Sequence, residues 1–201
     1  MRPDTVVFDL GGVLIDWNPR YLYSKLIPDE AERERFLAEV CTHEWNIAQD
    51  AGRTIADAVA EAISRHPDKA DLIRAFYDRF DEMLGGPVQG TVDILERLDA
   101  RGTPLYALTN WSAETFPIGR RRFDFLRRFR HITVSGEVKL AKPDPAIYRH
   151  ALASAGKPAT SCVFIDDAPR NVAAAAALGF HAIQFVDPDD LGMRLVDLGF
   201  L

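Results

Sequence analysis

Apolar residues fall into two kinds of pattern along this chain. Val6-Val7-Phe8, Pro104-Leu105-Tyr106-Ala107-Leu108 and Cys162-Val163-Phe164-Ile165 are short, nearly unbroken apolar runs rich in β-branched and aromatic side chains. Successive strand residues face opposite sides, so a run apolar throughout predicts a strand covered on both faces, as in a parallel sheet. Ile132-Thr133-Val134 and Ala182-Ile183-Gln184-Phe185 are weaker strand candidates. Between these runs the apolar spacing changes to three and four. Val92, Leu95 and Leu98 precede Gly102, and Ile147, Ala151 and Ala155 precede Gly156. An alanine-rich stretch from Val172 to Leu178 stops at Gly179, and Leu191, Leu195 and Leu198 mark a last helix. Asp144-Pro145 and Asp187-Pro188 supply the cap and first-turn residues of helix starts. Alternation of strand and helix from residue 88 onward predicts βαβ units and an α/β, doubly wound parallel sheet.

Residues 18–84 follow a different rule. Phe36, Leu37 and Val40 predict one helix, and Ile55, Val59 and Ile63 predict another, opened by Thr54 with Asp57 in capping register. Leu72, Ile73, Phe76, Tyr77, Phe80, Met83 and Leu84 predict a third, with one face mostly buried. No strand is expected among them. The segment reads as a helical insertion into an α/β core made of residues 1–17 and 85–201, with Gly85-Gly86-Pro87 marking the return.

Composition narrows the function classes. The chain has 201 residues, 47% of them apolar and 27% charged, which is the make-up of a globular protein and not of a disordered one. Folding at this length buries roughly 70% of the unfolded surface, so no disulfide or structural metal is required. The formal net charge of −6 disfavours a nucleic-acid backbone or an anionic membrane as partner. Cys41 and Cys162 are the only two cysteines and read as reduced thiols. With no signal-peptide pattern and no apolar segment of membrane-spanning length, a cytoplasmic setting and a small-molecule substrate are expected, the oligomeric state being left open.

The chemistry lies where the predicted strands end. The first run stops at Asp9, the second at Thr109-Asn110, and the third at Asp166-Asp167. The C-terminal strand ends of an open parallel sheet share one edge, and ligands bind in the crevice there. Crowded carboxylates raise one another's pKa unless a cation sits among them. Oxygen donors of this kind suit Mg²⁺, which takes one or two carboxylates together with substrate phosphate. A carboxylate beside such an ion can attack a phosphoester to give an aspartyl-phosphate. Thr109 and the amide of Asn110 can hold the phosphoryl oxygens, and Lys142, just before Pro143, is the natural opposing cation.

Val6 to Leu14, Leu108-Thr109-Asn110, Lys142-Pro143-Asp144 and Ile165-Asp166-Asp167 together resemble the four motifs of the haloacid dehalogenase superfamily, in the family's order. The resemblance implies a Rossmann-like core and a helical cap at residues 18–84. It implies Asp9 as nucleophile, Thr109 and Asn110 as binders of the transferred group, and Lys142 as its stabiliser. It places Mg²⁺ on Asp9, the Gly11 carbonyl and Asp167, with Asp166 nearby or through water and Asn171 supporting.

The pattern breaks at Gly11, where phosphatases of this family carry a second Asp as general acid and base. Such help is typically worth roughly 10²–10⁴-fold, so its loss has consequences. Three readings follow. One is a phosphatase whose leaving group needs little protonation, as in a subgroup of sugar phosphatases with a similar Asp-Leu-Gly opening, or one in which Asp16 supplies the proton. Another is a metal-independent 2-haloacid dehalogenase, whose Lys and Tyr pattern Lys142 and Tyr148 resemble. The paired acids Asp166-Asp167 and the absence of Tyr at position 11 weigh against it. The third is a binding or regulatory protein without turnover.

Other features are weighed more lightly. Trp45, Asn46, Gln49, Asp50, Gly52 and Arg53 form a polar-aromatic cluster in the insertion; it reads either as a substrate-facing set that includes Trp45, if the insertion closes over the strand ends, or as a loop with a half-buried Trp between helices. Trp17 and Trp111 are near enough to candidate catalytic positions to line the crevice. The arginines at 120–122, 127, 128 and 130 alternate with Phe123, Phe125, Leu126 and Phe129, which fits a solvated face over a packed one. Neither a GxSxG elbow nor GxGxxG is present, so a serine hydrolase and a dinucleotide site are not indicated.

Overall fold

The computed structural model describes residues 2–201. Its strands are β1 (Thr5–Phe8), β2 (Ile15–Trp17), β3 (Leu84–Pro87), β4 (Leu105–Thr109), β5 (His131–Val134), β6 (Cys162–Asp166) and β7 (His181–Gln184). Five of them form one sheet in the order β5-β4-β1-β6-β7, every pair parallel. The chain builds outward from β1 in both directions, so the topological switch lies at the carboxyl end of β1, beside Asp9.

Alternation along the strands decides which helix covers which face. Val6, Phe8, Leu105, Ala107, Val163 and Ile165 belong to one apolar cluster, and Val7, Leu108 and Phe164 to another. Helices α1 (Arg20–Leu26), α2 (Glu30–Glu39), α3 (His43–Asp50), α4 (Ile55–Arg65) and α5 (Ala70–Asp78) lie between β2 and β3. The remaining helices are α6 (Gln89–Ala100), α7 (Phe116–Arg122), α8 (Ser135–Val138), α9 (Pro145–Ala155), α10 (Pro169–Ala177) and α11 (Pro188–Asp197). The first cluster takes Leu95 and Leu98 of α6 and Leu191 and Leu195 of α11. The second takes Ile147 and Tyr148 of α9 and Ala175 of α10. Fully burying one such large apolar side chain contributes roughly 1.5–3 kcal/mol, so both faces are strongly held.

Helix boundaries follow the local chemistry. Asp144 accepts from the Ala146 N–H at 2.8 Å, and α9 stops at Gly156 with φ +64°. Asp187 accepts from the Asp190 N–H, and Thr54 from the Asp57 N–H. The basic stretch separates as expected, with Phe123, Leu126 and Phe129 buried and the arginines turned outward.

Among the described residues, the insertion holds five helices where three were expected, α1 and α3 being unanticipated, and it differs again at its edges. The last of the five, α5, ends at Asp78, a 3₁₀ turn takes Phe80–Met83, and Leu84 opens a strand. β2 and β3 pair antiparallel, so a two-stranded ribbon joins the helices to the sheet domain. Gly85-Gly86-Pro87 conceals β3 because glycine and proline carry no strand signal of their own. Inside the insertion Tyr23 meets Phe36 at 5.0 Å between ring centroids, and Trp45 meets Phe76 at 5.3 Å.

The loop after β4 is clamped by the start of α8. Ser135 Oγ accepts from the Trp111 N–H at 2.9 Å, and the Gly136 N–H donates to Trp111 O. A Cβ at position 136 would run into the backbone of Trp111, Ser112 and Ala113. Gly136→Ala is therefore expected to lose about 1–3 kcal/mol of stability in urea unfolding, since rigid backbone must give way. An unchanged midpoint would show this loop to be slack.

Candidate active site

Asp9, Gly11, Thr109, Asn110 and Asp167 from the ends of three strands, Lys142 from the approach to α9 and Asn171 from α10 open onto one crevice of about 340 Å³. The Asp9 N–H extends the ladder to Ile165 O at 2.8 Å, and its carboxylate Oδ1 accepts from the Leu10 N–H at 2.7 Å. The side chain is thus aimed by its own backbone turn.

Lys142 sits 3% exposed, with Nζ 2.8 Å from Asp9 Oδ2 and 2.6 Å from Asp166 Oδ2. Burial alone would push its ammonium down, but the two carboxylates outweigh that and hold it above its ordinary value. Burial pushes the Asp9 carboxyl up to about 7, with Lys142 pulling against it and the charge of Asp166 adding to it. Asn110 fixes the lysine from behind: its Oδ1 accepts from the Lys142 N–H at 2.8 Å and its Nδ2 donates to Lys142 O at 3.0 Å.

Asp166 is fully buried. Its Oδ1 accepts from the Ala168 N–H and Asn171 Nδ2, and its Oδ2 from Lys142 Nζ and Asn171 Nδ2. A carboxylate has about four acceptor sites, so this one is spent on positioning its neighbours. That separates Asp166 from the set expected to ligate a metal directly.

Oxygens of Asp9, Asp166 and Asp167 nevertheless lie within 4.8 Å of one another. Burial and then the charge of Asp166 hold the Asp167 carboxyl above its ordinary value. Gly12 makes room for it: φ is +75°, and a Cβ there would stand 2.5 Å from Asp167 Oδ2. Asn171 Oδ1 is buried without a hydrogen-bond partner in the same crevice wall. An oxygen-only donor set, mutually repelling carboxylates and an orphaned amide oxygen together fit a hard divalent cation.

Residues 3–179 match the model of the haloacid dehalogenase-like hydrolases. The chain belongs to this family. A sesquiterpene phosphatase from Aspergillus oryzae is 27% identical over 90% of this chain and 89% of its own length. A haloacid dehalogenase-family enzyme of Bacteroides thetaiotaomicron, solved with magnesium and inorganic phosphate, has a TM-score of 0.68 at 24% identity, covering 92% of this chain and 95% of that one. A 2-haloacid dehalogenase from Pseudomonas syringae has a TM-score of 0.65 at 21% identity, covering 97% and 99%. These structures share the fold.

In this haloacid dehalogenase-like hydrolase, Trp45 and Asp16 do not take the crevice positions that the sequence offered for them. Trp45 does not face the crevice; its ring packs on Phe76 and Tyr77, and Nε1 donates to Ala58 O at 3.2 Å. On a helix, Asn46 and Asp50 face the opposite way and line the crevice instead. Asp16 lies outside it, accepting from the Tyr21 hydroxyl at 2.5 Å, so it is not the stand-in for Gly11. Tyr148 is wholly buried beneath the site, donating to Asn171 O at 3.0 Å. Trp17 and Trp111 do form crevice wall, with Ile15, Ile47 and Phe80. His43 and Arg170 also line it and were not anticipated. His43 reaches the crevice from α3 of the insertion, which no sequence signal marks, whereas Arg170 reaches it from the first turn of α10, just after Asp166-Asp167.

Removing the lysine charge tests the electrostatics. Lys142→Met leaves the buried Asp166 without a cation, and breaking such a pair costs about 3–5 kcal/mol. Urea denaturation at neutral pH is expected to show a loss of that order. A loss below about 1 kcal/mol would mean that the pair is solvated like a surface bridge.

Proposed function

We propose that this hydrolase is a Mg²⁺-dependent phosphatase acting on a small phosphomonoester through a phosphorylated Asp9. The observation that carries the reading is the convergence of Asp9, Asp166 and Asp167 opposite the buried Lys142. Asp9, the Gly11 carbonyl and Asp167 would hold the ion, with Asn171 beside them. Bound there, Mg²⁺ offsets charge on the phosphoryl oxygens.

The chain's own groups do the rest. An Asp9 oxygen bonds to phosphorus while the bond from phosphorus to the leaving oxygen breaks. Lys142 keeps Asp9 oriented, and the Thr109 hydroxyl and Asn110 backbone N–H receive phosphoryl oxygens. Water then attacks phosphorus, releasing phosphate and restoring Asp9. The phosphatase among the relatives and the magnesium–phosphate complex of the Bacteroides enzyme support this choice over dehalogenation. So does the burial of Tyr148 away from the crevice. A crevice of about 340 Å³ suits a small organic group, with sugar phosphates the first class to assay. Two buried free thiols, Cys41 and Cys162, suit a cytoplasmic setting.

Phosphate release from a sugar-phosphate panel and halide release from 2-haloacids, each with Mg²⁺ or EDTA, decide between the chemistries. Phosphate release abolished by EDTA and by Asp9→Asn is expected. Halide release that survives EDTA would establish dehalogenation instead, and full phosphatase activity in Asp9→Asn would remove Asp9 from the mechanism.

A further inference from the structure

Gly11 leaves the reaction without its usual proton donor, and the direction of displacement says where a substitute must stand. In phosphoryl transfer the attacking and leaving oxygens lie roughly in line. With Asp9 attacking from the sheet edge, the leaving oxygen departs toward the insertion. Of the residues that the insertion places in the crevice wall, His43 and Asp50 carry a titratable carboxyl or imidazole.

Asp50 stands at the last position of α3, 9% exposed. A hydrogen-bond chain orients its surroundings. Gln49 Nε2 donates to the Tyr77 hydroxyl at 2.8 Å, that hydroxyl donates to Asn46 Oδ1 at 3.1 Å, and Asn46 Nδ2 donates to Asp50 Oδ2 at 3.2 Å. From the sheet domain, the backbone N–H of Ser112 faces the carboxylate. Of the charged groups nearby, Arg53 pairs with Glu61 across to α4, the Lys139 stem at the end of α8 lies against Gly52, Lys142 pairs with Asp9 and Asp166, and His43 and Arg170 share the crevice wall. Burial pushes the Asp50 carboxyl up to about 7, with the Ser112 N–H pulling against it. A buried carboxyl held by neutral donors in this way holds a proton near neutrality and can release it.

We propose that Asp50 is the proton donor to the leaving oxygen, supplied by the insertion in place of the residue missing at position 11. The inference rests on the phosphatase reading above. As the bond from phosphorus to the leaving oxygen breaks, the Asp50 proton passes to that oxygen and the product departs as an alcohol or phenol. The resulting carboxylate then accepts a proton from the water that attacks phosphorus, which returns Asp50 to its acid form. Asp50 is thereby a catalytic residue, and Asn46 and Tyr77 are positioning residues.

A series of substituted phenyl phosphates of graded leaving-group pKa, with Mg²⁺, tests this in the wild type, Asp50→Asn and His43→Gln. For Asp50→Asn, kcat/KM is expected to fall about 100-fold or more on the poorest leaving group and less than about 5-fold on p-nitrophenyl phosphate. The wild type should lose activity on poor leaving groups above pH about 7, and Asp50→Asn should lack that limb. Gly11→Asp added to Asp50→Asn should restore the poor substrates, since a Cβ at position 11 meets nothing within 4 Å. That rescue separates lost proton transfer from damaged folding. An equal loss across the series, no loss at all, or the graded loss appearing in His43→Gln would overturn the proposal while leaving the phosphatase reading intact. A wild type that hydrolyses none of the series overturns both.

Discussion

A lysine sealed between two aspartates is the constraint on which the rest of this structure depends. Lys142 is 3% exposed, Asp166 is wholly buried, and Asp9 closes the set. Charges removed from water are tolerated only when paired and hydrogen-bonded, so their partners must arrive together. Asp9 comes from the end of β1, Asp166 from the end of β6, and Lys142 from the approach to α9. Parallel pairing of β1 with β6, which sets Phe8 beside Ile165, brings the two carboxylates to one level. Asn110 then ties the end of β4 to the lysine backbone. A shift in any of these elements would strand a buried charge, so the same interaction specifies the sheet edge and prepares the site.

The site divides its tasks between two bodies of the chain. The sheet domain supplies Asp9, Thr109, Asn110, Lys142, Asp166 and Asp167, with Asn110 fixing the lysine backbone and Asn171 donating to Asp166. The insertion supplies the far wall, where Ile47, Phe80, His43, Asn46 and Asp50 meet Trp17 and Trp111. An ordered sheet edge with a separate wall allows one chemistry to be paired with different leaving groups, because the wall can change without moving the reacting phosphorus. Gly11 has its meaning in that division. The sheet edge has glycine at position 11, and the insertion brings the buried carboxyl of Asp50 to the facing wall.

What the sequence revealed and what it hid have physical causes. Apolar runs ending in Asp9, Thr109-Asn110 and Asp166-Asp167 mark the central strands, because a strand covered on both faces leaves a near-continuous apolar signature. Parallel topology then gathers their ends whatever their separation along the chain. Capping at Asp144, Asp187 and Thr54 was legible for the same local reason. The ribbon of β2 and β3 was not, because Gly85-Gly86-Pro87 has little strand propensity and gains its conformation from its partner. Trp45 misled because composition shows that a cluster is present but not which face of the helix turns to the crevice. Its neighbours Asn46 and Asp50 are the ones that do. Asp166 was set apart from Asp167 only by family resemblance; its four incoming hydrogen bonds give that difference a physical cause.

The proposed hydrolysis requires a covalent bond between Asp9 and phosphorus. Acid-quenching the protein during turnover of p-nitrophenyl phosphate with Mg²⁺, reducing any acyl phosphate with borohydride and mapping the peptides by mass spectrometry tests it directly. Modification confined to Asp9, and lost when EDTA is added before substrate, is the predicted result. Continued phosphate release with Asp9 unmodified, or modification at another residue, would contradict it.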